Sequence, residues 1–327
     1  MKNVLVIGGA GYVGSHCCKA FAAAGWKVTT FDNLSRGWRE AVKWGPLIEG
    51  DLLNPQAISA AVRDVQPDLI AHFAAFAYVG ESVARPELYY RNNSVGTLNL
   101  LDAMVEHGVT PLLFSSTCAS YGVPLQLPID ERHPQVPINP YGESKLVAER
   151  MLRDYTAAHG LRTVALRYFN AAGADIDGEI GERHEPETHA IPLAIEAAIT
   201  PGATFTVMGH DFDTRDGSAV RDYIHVADLA AAHVAAGEFA LANQGSHVFN
   251  LGTGVGTTVL ELLAAVERVS GYPPVVVMGQ RRTGDPAALV ASFAKAKDVL
   301  GWAPRYSEID TIVKTALSWR MQQVADV

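Results

Sequence analysis

The junction at which Val4-Leu5-Val6-Ile7 runs into Gly8-Gly9-Ala10-Gly11-Tyr12-Val13-Gly14 restricts the fold of this chain more than any other stretch. A short β-branched apolar run bounded by glycine reads as a buried strand, and Val13 to Ala24 then reads as a helix that Gly25 can end. Gly8 permits the tight turn between them. Gly11 lets backbone N–H groups approach a pyrophosphate at the helix N-terminus, and Gly14 lets helix and strand pack closely. A glycine pattern alone is weak evidence. Here a strand precedes it, a helix follows, and a second strand, Lys27 to Phe31, ends in Asp32, at the distance where an acid meets an adenosine ribose. A carboxylate there repels a 2′-phosphate and so favours NAD over NADP, with the nearby Arg36 as the one residue pulling the other way.

The strand and helix alternation continues. Leu47 to Glu49 is a third strand ending at Gly50-Asp51, where Asp51 either accepts from the adenine amino group or is an exposed loop acid. Leu69 to Phe73 is a fourth, and Ala74-Ala75 after it keep side chains small where the backbone passes a cofactor, so Phe73, Ala74 and Ala75 count with the cofactor residues. Asn92-Asn93 precede a helix over Val95 to Glu106, and Leu112 to Phe114 forms a fifth strand leading to Ser115-Ser116-Thr117-Cys118. Thr117 therefore sits at a carboxyl end of the sheet, where ligands of open parallel sheets bind, unless its hydroxyl merely bonds its own backbone. Thr163 to Tyr168 is a sixth strand, after which the alternation weakens. The expected fold class is α/β: a doubly wound parallel-sheet Rossmann domain over residues 1–168, with the chain crossing back near 220–245, and a smaller substrate-binding domain over 169–327.

Asn139-Pro140-Tyr141-Gly142-Glu143-Ser144-Lys145 carries the candidate chemistry. Asn139 suits a helix N-cap and Pro140 the first helical position, so Tyr141 and Lys145 stand one turn apart on the same face. A free phenol titrates near ~10 and is a poor base at neutral pH. A positive charge at about 4 Å in an effective dielectric of ~20 is worth roughly 4 kcal/mol, about 3 pK units, which makes a phenolate accessible. Y-x-x-x-K by itself is a short and common pattern, equally at home on a surface helix.

At 327 residues and 48% hydrophobic composition the chain can bury a substantial core. Its net charge of −9 gives no general attraction to nucleic acid or acidic membrane, so an anionic ligand must be held by local arginines. Cys17, Cys18 and Cys118 form neither a disulfide framework nor a metal-spaced set, which fits a reducing cytoplasm, and the first apolar run is too short for a signal peptide or a membrane span. Ala174 to His189 is polar, contains glycine and is long for a passive connection, so it reads as a loop covering substrate, with His189 counted among the substrate residues. No metal is expected, because His184 and His189 show no companion ligands at metal spacing. Arg221 and Arg282 are the best phosphate clamps, since a guanidinium binds two phosphate oxygens at once; either can instead be a surface ion pair.

Together these stretches resemble the extended short-chain dehydrogenase/reductase family and, within it, the UDP-galactose 4-epimerases. The matches are GGAGYVGSH at Gly8 to His16, FDNL at Phe31 to Leu34, EGDL at Glu49 to Leu52, HFAA at His72 to Ala75, VGESV at Val79 to Val83, SSTCASYG at Ser115 to Gly122, YGESK at Tyr141 to Lys145, RYFNAAG at Arg167 to Gly173 and VRDYIHVADLA at Val220 to Ala230. The resemblance implies Tyr12, Val13, Asp32, Asn33, Asp51, Leu52, Asn92, Lys145 and Phe169 at an NAD cofactor. It implies Thr117, Tyr141, Asn170, Arg221, Arg282 and Asp285 at a UDP-sugar, and Leu289 at the wall beside the sugar's 2-substituent. Many members carry lysine at the position of Ala77, near the cofactor pyrophosphate, so this chain is expected to rely more on backbone donors.

The implied reaction interconverts UDP-glucose and UDP-galactose. The carbon to be inverted has no acidic hydrogen, so it is first oxidised to a ketone with Tyr141 as base and Thr117 on the oxygen, and the sugar then turns over before hydride returns. UDP-xylose/UDP-arabinose 4-epimerisation is the alternative that the motifs do not separate. A nucleotide-sugar 4,6-dehydratase is disfavoured because Cys118-Ala119 stand where such enzymes place Asp-Glu. The resemblance also implies a cytoplasmic homodimer joined through the helices near Val95 to Glu106 and Pro140 to His159.

Overall fold

Val4 and Val6 face one side of the central sheet and Leu5 and Ile7 the other, and all four are fully buried because both faces are covered by helices. The computed structural model describes residues 1–281 and 285–325 of the chain. Seven strands form the sheet: β1 (Asn3–Ile7), β2 (Lys27–Asp32), β3 (Leu47–Glu49), β4 (Leu69–His72), β5 (Pro111–Thr117), β6 (Arg162–Tyr168) and β7 (Ser246–Leu251). They lie in the order β7-β6-β5-β4-β1-β2-β3, and every pairing is parallel. The winding reverses between β1 and β4, which opens a crevice at their carboxyl ends.

Helices Tyr12–Ala23 and Val226–Ala242 cover the face that carries Val4 and Val6, packing Phe21, Leu229 and Ala236 against it. Helices Pro55–Val65, Gly96–His107 and Pro140–His159 cover the other with Ile58, Leu100 and Leu152. A second core joins Ile191, Ile195, Phe205, Leu262, Val266, Ile312 and Val313, from helices Ala190–Ile199, Val259–Ser270 and Ile309–Ala325 and a short strand at Phe205–Met208. Among the described residues, no helix is long and apolar enough to cross a membrane.

The chain crosses back over a longer stretch than the 220–245 expected from sequence. Val226–Ala242 packs on Tyr12–Ala23, β7 then adds the seventh strand beside β6, and Trp302 also enters the core on the Val4 and Val6 face of the sheet, its indole donating to Asp228 O at 2.9 Å. Asn250, fully buried, interrupts the apolar pattern of β7 and hides that strand in the sequence. Arg221 lies in a two-residue strand, Val220–Arg221, and a helix starts at Val226 after a further strand, Tyr223–His225. The helix expected from Val95 starts at Gly96, preceded by a π-helical turn over Tyr90–Val95.

Candidate active site

The glycine turn fits a dinucleotide. Gly8 has φ +82°, and a Cβ there would sit 2.5 Å from Ala74 N. A Cβ on Gly14 would lie 2.2 Å from Gly8 O, so this glycine sets the approach of helix to strand. Gly11 is different. Its Cβ would meet only Gly8 O at 3.4 Å, it has no side-chain cap bond, and the first helical turn has no acidic residue. The helix-terminal N–H groups of Tyr12 and Val13 have no intrahelical acceptor and suit an anion.

Asp32 is nearly buried, accepts from Ala10 N at 3.0 Å and Leu34 N at 2.8 Å, and has its carboxyl pushed up by burial. It thus braces the glycine turn from the end of β2. Asn33 donates to Asp51 at 2.9 Å and Leu53 N to the same carboxylate at 2.7 Å, which closes the loop over buried Leu52. Arg36 makes a bidentate ion pair with Glu81, at 2.8 and 2.9 Å, and stacks over Phe76 and Tyr78. Its charge is neutralised there, which removes the one sequence argument for a 2′-phosphate. Phe73 N and Ala74 N both donate to Ile7 O, joining the exits of β4 and β1, and Ala75 follows half-buried. In the next segment Asn93 does the anchoring, bonding Phe76 N and O and Ser144 Oγ, while the Asn92 side chain donates to Asn93 Oδ1.

Thr117 ends β5, and Asn139 caps the helix that presents Tyr141 by accepting from Gly142 N at 2.8 Å. Burial raises the Tyr141 phenol above its ordinary value with nearby Thr117 working against that rise, while the Thr117 hydroxyl itself accepts from Ala119 N at 3.1 Å, the local backbone bond left open by the sequence. Lys145 is 3% exposed; its Nζ donates to Ser115 O at 2.8 Å and sits 4.7 Å from the Phe114 ring centre. Burial pulls its amine down to about 7, with Glu149 opposing. The phenol–ammonium partnership read from the sequence therefore takes a different local form: the amine is held by the carbonyl of the neighbouring strand.

On the substrate side, Asn170 N donates to Asp222 O at 3.3 Å in the short strand Asn170–Ala172. Arg221 is held by Asp285 at 2.6 Å and by the carbonyls of Val220 and Pro286, so these two residues meet across 64 positions of sequence. Leu289 pairs in register with Arg221 and packs with Phe169 on the cluster of Cys118, Tyr121, Ile129 and Ala291. Arg282 lies outside the described residues.

The segment from Ala174 to His189 is tied to the helix Tyr12–Ala23 and to the loop after β2. Lys19 binds Asp175 and Asp177, each at 2.7 Å, Lys43 donates to Glu179 O, Trp38 to Arg183 O and Tyr12 OH to Gly173 O. At its end, burial lowers the His189 imidazole but the Glu182 and Glu187 carboxylates, 3.0 and 2.8 Å from its Nδ1, raise it more, to about 10. Those two glutamates are the companions that the sequence expectation of no metal lacked.

A family model described as the NAD dependent epimerase/dehydratase family matches residues 4–252. The chain belongs to that family. The matched span ends one residue beyond β7, where the sheet is complete. A UDP-glucose 4-epimerase of Rhizobium meliloti (strain 1021) is 52% identical over 322 residues, 98% of each protein. The crystal structure of UDP-glucose 4-epimerase from Brucella ovis in complex with NAD is 51% identical with a TM-score of 0.95, covering 97% of this chain and 98% of that one. That of the Bifidobacterium longum enzyme in complex with NAD+ and UDP is 37% identical with a TM-score of 0.94 over 100% of both.

Sequence reasoning missed the support behind this family's site. Glu149 lies one turn beyond Lys145 on the face that carries Tyr141, so its spacing was a usable signal. It is buried in an ion pair with Arg167, whose guanidinium also donates to Tyr121 OH at 2.8 Å, and Tyr121 in turn donates to Asn250 at 2.7 Å. Burial works to raise the Glu149 carboxyl, but Arg167 holds it below the usual value. Asp222 is a second such residue, accepting from Thr253 and from Ala291 N and so fixing the loops beside Arg221.

Proposed function

We propose that this chain is an NAD-dependent enzyme that interconverts UDP-glucose and UDP-galactose by transient oxidation at sugar C4. The observation that carries the reading is the buried Lys145, one turn from Tyr141 on the Asn139-capped helix and bonded to the strand β5 that ends in Thr117, in a chain that matches UDP-glucose 4-epimerases over nearly its whole length. Bound NAD supplies the hydride acceptor for C4 and the donor that restores it.

The residues proposed to hold the cofactor are the first-turn amides of Tyr12 and Val13 for the pyrophosphate and the Asp32 carboxylate for the ribose. Neutral Arg36–Glu81 pairing supports NAD rather than NADP. Tyr141 takes the proton of the C4 hydroxyl as C4 becomes a ketone, and Thr117 steadies that oxygen. Lys145, one turn on, supplies positive charge toward the phenol in the state where its buried amine, pulled down by burial, is protonated. Arg221, aimed by Asp285, grips the diphosphate while the ketone turns its other face, and Tyr141 then returns the proton.

Dehydration needs an acid and a base beside Thr117, whereas Cys118 is fully buried with its thiol pushed up by burial, and Ala119 carries no proton. The relatives favour the hexose over the pentose sugar. The same reading makes the enzyme a cytoplasmic homodimer, supported by three free, buried cysteines and by the adjacent helices Gly96–His107 and Pro140–His159. Tyr141→Phe keeps the ring and removes the proton acceptor. The variant is expected to retain NAD and lose epimerisation of UDP-galactose, and turnover at the wild-type rate would refute the assignment.

A further inference from the structure

Four side chains from one short segment converge beside the first helix: Glu182, His184, Glu187 and His189. One potential ligand atom from each lies within 4.8 Å of all the others. His189 Nδ1 is 2.8 Å from Glu187 Oε1 and 3.0 Å from Glu182 Oε1. His184 Nδ1 is 3.2 Å from Glu182 Oε1 and 3.6 Å from Glu187 Oε2. Ligands about 2.0–2.1 Å from a tetrahedral zinc stand roughly 3.3–3.4 Å from one another, in the middle of that range.

The hydrogen bonding within the cluster is incomplete. Glu182 Oε1 and His184 Nδ1 are buried, and among the described residues neither has a hydrogen-bond partner. The Glu182 side chain is only 7% exposed, and its Oε1 faces the Nδ1 atoms of His189 and His184 at 3.0 and 3.2 Å without a well-aligned hydrogen bond to either. The surroundings already orient the set. Glu187 Oε1 accepts from the amides of Thr188 and His189, Trp319 donates to Glu182 O at 3.0 Å, and the Tyr12 and Tyr78 rings stand edge-on to His184.

We propose that Glu182, His184, Glu187 and His189 form a binding site for a divalent transition metal, with zinc the best match. Two imidazoles and two carboxylates suit zinc, and the two carboxylate charges balance a dication. Four protein ligands close a tetrahedral shell, so the site is structural and leaves no position for substrate or water. Its place in the fold gives it a job. The segment joins the helix Ala190–Ile199 of the smaller domain to Tyr12 at the glycine turn, and a metal there locks the two domains together.

The test uses the full-length, NAD-loaded protein after dialysis against a chelator. Zinc is titrated in competition with a chromophoric chelator, and the unfolding temperature is followed alongside. The expected result is one zinc per chain with a Kd in the micromolar range or tighter and a raised unfolding midpoint. Glu182→Gln and His184→Ala should each weaken zinc binding at least about tenfold, while exposed His210→Ala should not change it. X-ray absorption of the zinc-loaded wild-type protein, which does not depend on any variant folding, should show only nitrogen and oxygen ligands at about 2.0–2.1 Å. No saturable zinc binding, equal affinity in folded Glu182→Gln, or a sulfur ligand would each overturn the proposal.

Discussion

Replacing Lys145 by methionine keeps most of the side chain's bulk and removes a buried charge, and the structure fixes both the size and the pH dependence of the result. The amine falls from an ordinary 10.5 to about 7 because it is buried, with only Glu149 opposing. At about 1.4 kcal/mol for each pH unit, this fall means that burial costs the cofactor-free fold on the order of 5 kcal/mol at pH 6. Between pH 7 and 10.5 the unfolded lysine is protonated and the folded one is not, so the unfolded state binds more protons and wild-type stability rises with pH. From pH 6 to 9 the recovery is about 2–3 kcal/mol. Lys145→Met lacks this slope. It leaves Ser115 O without its donor, at about 1–3 kcal/mol, but that loss does not depend on pH. The neighbouring titratable groups do not interfere, because burial, together with Lys145, lowers His72 to about 3, and Arg167 holds Glu149 low. Urea unfolding of the NAD-stripped proteins from pH 6 to 9 reads the difference directly. Wild type should gain on the variant by about 2–3 kcal/mol over that range, and parallel curves would refute the burial argument.

Two further outcomes are expected. Leu289 lies beside Arg221 and Phe169, so Leu289→Tyr should depress turnover of N-acetylated UDP-hexoses more than that of the plain sugars, and Leu289→Gly should raise it; equal effects on both classes, in steady-state rates, would show that Leu289 does not line the sugar pocket. Light scattering at micromolar concentration should give twice the chain mass, with a monomer mass refuting the pairing of Gly96–His107 and Pro140–His159 across a two-fold axis.

The sequence was most legible where one residue type is the only physical solution. Gly8 and Gly14 are required by a positive φ and by a backbone contact that any Cβ would break, so the turn and its flanking strand and helix could be placed from the pattern alone. Thr117 and Tyr141 were legible as candidates because a strand end and a helix cap set their positions, yet how closely they approach depends on how two distant elements pack. β7 was hidden because buried Asn250 breaks its apolar run, and its partners Tyr121 and Ile129 come from a remote loop. Arg36 looked like a phosphate ligand until Glu81, 45 residues on, proved to neutralise it. The grouping of Glu182 and Glu187 with His184 and His189 follows from the path of an irregular segment, which neither helical nor strand periodicity describes. Sequence alone showed two histidines without companions.

The central claim is that C4 is oxidised and then reduced by the same hydride within one active site. UDP-galactose carrying deuterium at C4 tests it when incubated with the enzyme in ordinary water and the product is read by NMR and mass spectrometry. The account predicts UDP-glucose that keeps its deuterium at C4 throughout the approach to equilibrium. Loss of that deuterium to solvent, with hydrogen from water at the inverted carbon, would contradict it.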